Sequence, residues 1–356
     1  MAASLSSSPV RHPIVDNAAV PAASHRIPPP LNGFAFLEHR RSALSHDTFI
    51  ARDVRQQQHP EQQDNDPAKV IIRVYALEYL RRDEECRFAL ERECLTARLV
   101  VHPHLLPLGA PFASKTDLFV VEKYCAGGDL YELMVSLAKE DPIASEMGAA
   151  KGEAPPRSST GLPTNTVKRF MRELLSAVQY LHRTCGLVHR NIKLETLFID
   201  EEQHLRLGGF GLCAVLPPPS VVTGDREGAL DAPDAPEDTA SSSHEPLRLC
   251  CGSKHYAAPE LVQGHPYQGE GVDAWACGVV LFALLTSCFP FDSDDGDEAL
   301  FRLLCGDVEA HLAQHPAMAA IEDPQACDLV RNLLRPNPNA RYTVSEALEH
   351  PYLWVA

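Results

Sequence analysis

The order of segments predicts an α+β chain, with strand-like runs crowded into the first third and helix-like segments filling most of the remainder. Three observations carry this expectation. Residues 48–52, 70–74 and 118–122 are short runs rich in β-branched and aromatic side chains. Val167, Phe170, Met171, Leu174, Leu175, Val178 and Leu181 recur at helical spacing and mark an amphipathic helix. Residues 274–289 form the longest apolar run, shorter than the ~20 residues a membrane span needs, and are expected as a buried helix.

The 356 residues suffice for one two-part domain with tails, or for two modest domains. A formal net charge of -16 excludes a general nucleic-acid or anionic-membrane binder, because both need a cationic surface. The acidic run at residues 292–298 is expected as a solvated loop. The 11 cysteines show no paired metal-type spacing and come after no secretory signal, so reduced thiols in the cytoplasm or nucleus are expected.

In chain order, residues 1–31 are rich in Ser, Ala and Pro and read as a disordered tail; its few arginines give only a faint transit-peptide signal. Residues 32–53 are expected to hold two strands, and the polar stretch 56–67 a hairpin loop. Residues 82–99 have helical spacing. The stretch 139–162, rich in Ala, Gly, Pro and Ser, reads as a flexible insertion before the amphipathic helix, for which Thr164 or Thr166 is the expected cap. The Pro-, Ser- and acid-rich stretch 217–246 is too polar to pack and reads as a second flexible insertion.

Residues 188–198 read VHRNIKLETLF. This stretch resembles the catalytic loop of protein kinases, H-R-D-L-x-x-x-N, in which the Asp accepts the substrate proton and the Asn holds magnesium. His189, Arg190 and Lys193 match, whereas Asn191 stands at the Asp position and Thr196 at the metal-binding Asn. Other stretches resemble the same family in the right order from about residue 32 to residue 354. Val70-Ile71-Ile72-Arg73-Val74 is similar to V-A-I-K, with Arg73 at the phosphate-binding Lys and Ile71 at the small residue that makes room for the base. Arg41, Ala43 and His46 fall at the three positions of the glycine-rich loop. Glu93 falls at the helix glutamate and Glu122 at the gatekeeper, before a hinge that runs into Gly127-Gly128-Asp129-Leu130. Gly209-Phe210-Gly211 is similar to D-F-G, with Gly209 at the metal-binding Asp.

The resemblance implies a two-lobed kinase-like fold, with an N-lobe over residues 32–122 and a C-lobe over 123–356 most like the calcium/calmodulin-dependent group. It also implies structural roles. Ala97, Leu108, His189 and Phe210 would form a column between the lobes, Asp273 would open the central C-lobe helix, and Glu260 would pair with Arg341. An amide at 191 cannot act as a general base, and Gly209 offers no ligand. The expectation is therefore a catalytically impaired kinase-like module without nucleotide or metal, binding other proteins such as an active kinase. The alternative is a divergent serine/threonine kinase using ATP and magnesium through non-standard residues. Arg73 and Glu93 are expected to form a bidentate pair. Asp129 and Glu195 match positions that hold substrate arginines, so Arg-containing peptides are candidate partners; as the plainer alternative, Asp129 caps the helix that begins near Leu130 and Glu195 packs in its loop.

Overall fold

The structure, a computed structural model, describes residues 27–55, 69–140, 161–216, 253–293 and 296–354. Its N-terminal lobe is an antiparallel sheet of β1 (Phe34–Ser42), β2 (Asp47–Asp53), β3 (Lys69–Ala76), β4 (Phe112–Ala113) and β5 (Asp117–Lys123), in the order β1-β2-β3-β5-β4. The strands alternate their side chains, so the two faces have different cores. Phe34, Phe36, Phe49, Ile72, Phe119 and Val121 pack together on one face. On the other, Tyr75 and Val120 pack against Leu80 of α1 (Leu77–Arg82) and Leu90 of α2 (Glu84–Leu99).

The helix expected over residues 82–99 is α2, which begins at Glu84; α1 precedes it and ends at Arg82. Asp83 leaves helical geometry (φ -107°, ψ 91°), and its carboxylate accepts the Cys86 amide, the satisfied N-cap that an Asp favours. Buried Glu93 lies on the inner face of α2. At the start of the sheet, Leu31, expected as the last residue of the tail, exchanges two backbone hydrogen bonds of 2.9 Å with Phe34 across a turn. That turn needs positive φ at Asn32 (51°) and Gly33 (81°).

The larger lobe is mainly helical. It opens with α3 (Leu130–Glu140) and α4 (Thr164–Tyr180), and its core surrounds the helix Gly269–Thr286. The apolar stripe of α4 is buried as expected, from Val167 to Val178. Its cap is not a threonine. Pro163 stands at the cap position without a side-chain bond, and its carbonyl receives the Thr166 and Val167 amides. One helix among the described residues, Gly269–Thr286, is long and apolar enough to cross a membrane, but 83% of that span is buried inside the protein. It is the core helix of this lobe.

The insertion expected at 139–162 is shorter at both ends. Residues 139 and 140 complete α3, and the Leu162 amide donates to Leu284 O at 2.8 Å, docking the chain on the end of the core helix. A Cβ at Gly161 would come within 2.2 Å of Leu285 O, so a glycine is needed for that approach. The rest of that insertion, the loop at 56–67 and the stretch 217–246 lie outside the described residues.

Candidate functional site

A cleft of about 250 Å³ separates the lobes. From above it is lined by Arg40, Arg41, His46, Thr48, Ile71 and Arg73; from below by Asp129, Glu132, Glu195, Thr196 and Gly209; at its back by Glu93 and Glu122. Antiparallel pairing of β3 with β5 sets Ile71 opposite Glu122, which brings the gatekeeper position next to the strand that carries Arg73. The β1–β2 turn closes with the Ala43 amide donating to His46 O at 2.8 Å, so Arg41, Ala43 and His46 surround a hairpin tip as expected.

Arg73 is the electrostatic centre of the upper wall. Its Nη1 donates to Glu93 Oε2 at 3.1 Å and to Tyr75 Oη at 2.7 Å. Its Nε faces Glu122 Oε1 across 2.5 Å, and its Nη2 is buried without a hydrogen-bond partner. The expected bidentate Arg73–Glu93 pair is thus corrected. Glu93 takes one bond, and the guanidinium is divided between two carboxylates because Glu122 arrives on the neighbouring strand. Burial works against the Arg73 charge, but Glu122 and Glu93 more than offset it and hold the guanidinium above its ordinary range. Burial also raises the Glu122 carboxyl, opposed by Arg73. His46, whose ring lies tilted against Tyr75 with centroids 4.7 Å apart, is lowered to about 4 by burial and by the Arg73 and Arg41 charges.

The lower wall is a loop fixed from below. Asp273, at the start of the core helix, accepts the backbone amides of His189 (2.8 Å) and Arg190 (2.7 Å) and a bond with His182 Nε2 (2.8 Å). Burial alone would raise the Asp273 carboxyl, yet these bonds and the nearby histidines keep it below the ordinary carboxylate range. Asp273 also lets Arg190 hold a positive φ of 60°. His189 is fully buried, meets Gly208 O through Nε2 at 3.0 Å, and stands edge-on to Phe210 at 5.4 Å. Ala97 and Phe210 share the core against which Leu108 packs.

The loop's own polar groups are turned on themselves. Asn191 Nδ2 donates to Gly209 O at 3.2 Å, and Thr196 Oγ1 donates to the carbonyls of Asn191 (3.0 Å) and Lys193 (2.9 Å). Lys193 Nζ donates to Ser253 Oγ at 3.1 Å. Gly209 is left-handed (φ 79°), and a Cβ there would meet Thr196 Cγ2 at 2.7 Å. The group facing position 209 is a methyl, not an oxygen.

Asp129 accepts the Glu132 amide at 2.9 Å and so caps α3, the plainer of its two expected roles. Burial pushes its carboxyl up to about 6, against that hydrogen bond. Glu195 lies 4.0 Å from Lys193 Nζ and has a buried Oε2 without a hydrogen-bond partner. Sequence reading missed Arg40, whose Nη2 donates to Glu132 Oε2 at 2.7 Å across the mouth of the cleft. The adjacent arginines 40 and 41, just ahead of the hairpin tip, were the available signal. Away from the cleft, Arg341 and Glu260 form the expected pair: Nη1–Oε1 at 2.7 Å and Nη2–Oε2 at 2.9 Å, with Arg341 over the Trp275 ring at 4.9 Å.

Comparison of the sequence with known proteins identifies its family. The family model described as "Protein kinase domain" matches residues 64–353, more than half of the chain. Serine/threonine-protein kinase GIN4 of Saccharomyces cerevisiae is 34% identical over 75% of this chain and 19% of its own length. Serine/threonine protein kinase OSK3 of Oryza sativa subsp. indica is 30% identical over 77% of this chain and 43% of its own length. Probable serine/threonine-protein kinase HSL1 of Saccharomyces cerevisiae is 28% identical over 75% of this chain and 14% of its own length. The chain therefore spans less than half the length of these relatives. With its five-stranded N-lobe, its helical C-lobe and a kinase-type cleft between them, the chain belongs to the protein kinase superfamily.

Proposed function

We propose that this chain is a catalytically impaired kinase-like module that binds other proteins in signalling, as a scaffold or an allosteric partner. The observation that carries this reading is the double engagement of Arg73 by Glu93 and Glu122. In family members the corresponding lysine meets the nucleotide phosphates. Here a gatekeeper carboxylate supplies much of the countercharge, and the helix glutamate is held inward by the chain's own residues.

The residues do not fit a nucleotide-bound magnesium. Position 209 has no side chain, Thr196 presents a methyl to it while its hydroxyl donates to two carbonyls, and Asn191 uses its amide as a donor. None of the three is a carboxylate, so no ATP or metal cofactor is expected. Ile71 and Glu122 crowd and charge the wall where an adenine would lie. Charge neutralisation by metal is central to phosphoryl transfer, and no catalytic step is assigned to this cleft.

As a binding surface the cleft has more to offer. Asp129, Glu132 and Glu195 converge on its lower edge, and guanidinium–carboxylate bonds need neither nucleotide nor metal. The groove would take Arg-containing segments of partner proteins, an active kinase among them, in the cytoplasm or nucleus. A second reading, a divergent serine/threonine kinase, draws on the size of the cleft and on relatives named as kinases. The deciding experiment is transfer of labelled phosphate from ATP to a generic basic protein and to the chain itself, with magnesium or manganese. No incorporation above the protein-free control is expected. Incorporation that scales with protein concentration and disappears in Arg73→Ala would instate the second reading.

A further inference from the structure

The arginine of β1 that crosses the cleft does something the acidic groove would otherwise leave to a partner. Arg40 projects from the upper lobe and donates through Nη2 to Glu132 Oε2 at 2.7 Å, joining residues 92 positions apart. Glu132 lies one helical turn beyond Asp129, and the two side chains sit on the same lower edge as Glu195. The contact passes over Gly128, where an added Cβ would lie 3.0 Å from Glu132 Oε2 and 3.9 Å from Arg40 Nη2. Gly128 is left-handed (φ 69°), and its lack of a side chain leaves the line between the two charges open. Both partners are about half exposed, 46% and 47%, so the pair competes with water and salt and is readily broken.

We propose that Arg40 is an internal competitor for the acidic groove: its guanidinium occupies one of the carboxylates that an incoming peptide arginine would use, and displacing it is the step that opens the site to a partner. This rests on the groove being a site for arginine-containing segments, as proposed for its function. The chemistry is matched on both sides, since the resident group and the incoming one are both guanidinium ions. Glu195 supplies the foothold. Its side chain is 34% exposed on the same lower edge, so a peptide arginine reaches a carboxylate there before Arg40 has left Glu132. Arg41 lies on the same strand and lines the same cleft, and its positive charge is felt by Asp129. The mouth is therefore guarded by two resident cations, only one of which makes the crossing contact with Glu132.

The test is fluorescence anisotropy with a labelled Arg-rich peptide and a matched neutral peptide, on the full chain. Arg40→Ala should tighten binding of the Arg-rich peptide by up to about fivefold, the range set by an exposed ion pair. Arg40→Glu should tighten it further, because it adds a carboxylate and repels Glu132. Arg41→Ala removes the same unit of charge from the same strand without breaking the Glu132 contact, and should have the smaller effect. Equal tightening by Arg40→Ala and Arg41→Ala would mean that bulk potential acts rather than competition, and would overturn the proposal. So would unchanged or weaker binding in Arg40→Glu while the wild type binds measurably; the groove reading would then survive alone. Binding by neither wild type nor variants would overturn both.

Discussion

The methyl group of Thr196 lies where a side chain at Gly209 would begin: a Cβ at 209 would come 2.7 Å from Thr196 Cγ2. The backbone at 209 is left-handed as well, with φ 79°. Gly209→Asp should therefore destabilise the fold by ~1–3 kcal/mol through crowding and strain. Adding Thr196→Ser removes only the methyl and should recover part of that loss in urea denaturation. An Asp at 209 that costs nothing would show that the loop yields freely.

The same coupling bears on activity. Neither Asn191→Asp nor Gly209→Asp should restore phosphate transfer, because each changes one part of a site whose parts act jointly. Thr196 would still donate its hydroxyl to two carbonyls. Clear transfer from either single change, in the labelled-phosphate assay, would show that ATP is already held productively.

Thermal melting should be unaffected by ATP with magnesium. A ligand at ~100 times its dissociation constant adds ~2.7 kcal/mol and raises the midpoint by a few degrees. The ion-paired Arg73 and the absence of carboxylates at 191, 196 and 209 predict no such rise. A reproducible magnesium-dependent increase would contradict the proposed function.

Arg73→Ala leaves Glu93 and Glu122 facing each other in a buried wall and should cost ~3–5 kcal/mol. Replacing the set together, Arg73→Met with Glu93→Gln and Glu122→Leu, should cost less than the single change, since no charge is stranded. Chemical denaturation of the two variants measures the difference. A single change without effect would mean that the cluster contributes nothing to stability.

The pH dependence of stability should carry the mark of Asp129. Its folded-state carboxyl is raised from 3.8 to about 6, chiefly by burial, so in that interval the folded chain holds more proton than the unfolded one. Stability from this group is full below the unfolded value and is lost as pH rises through about 6. Asp129→Asn keeps a capping oxygen but cannot ionise. Its stability relative to wild type should rise between pH 4 and pH 7, by roughly 2–3 kcal/mol at most. A flat difference across that range would assign the pH dependence to other groups.

The parts of this molecule that were legible in the sequence are those whose partners sit in motifs at both ends. The pairing of Glu260 with Arg341 was implied by the resemblance, and their bidentate bonds are in place. Helix α4 was legible because burial of one face imposes its period on the sequence. Its cap was not, since a proline carbonyl does the work without any side-chain signature. Glu122 was placed next to the base pocket, but its partner depends on how β5 lies against β3, which no local pattern states. Arg40 and Glu132 met only in the fold. A contact between residues 92 apart, on different lobes, leaves no periodicity to read.

Asp273 reaches the loop above it through two backbone amides, those of His189 and Arg190, and not through the side chains at 191, 193 or 196. The curve of that loop is thus written in main-chain bonds to the core helix. The side chains at 191, 193 and 196 can be exchanged without touching those bonds, because Asp273 holds the main chain and none of the three. A lineage could shed reactivity here in small steps without passing through an unfolded ancestor, and it would retain a rigid frame open to new partners.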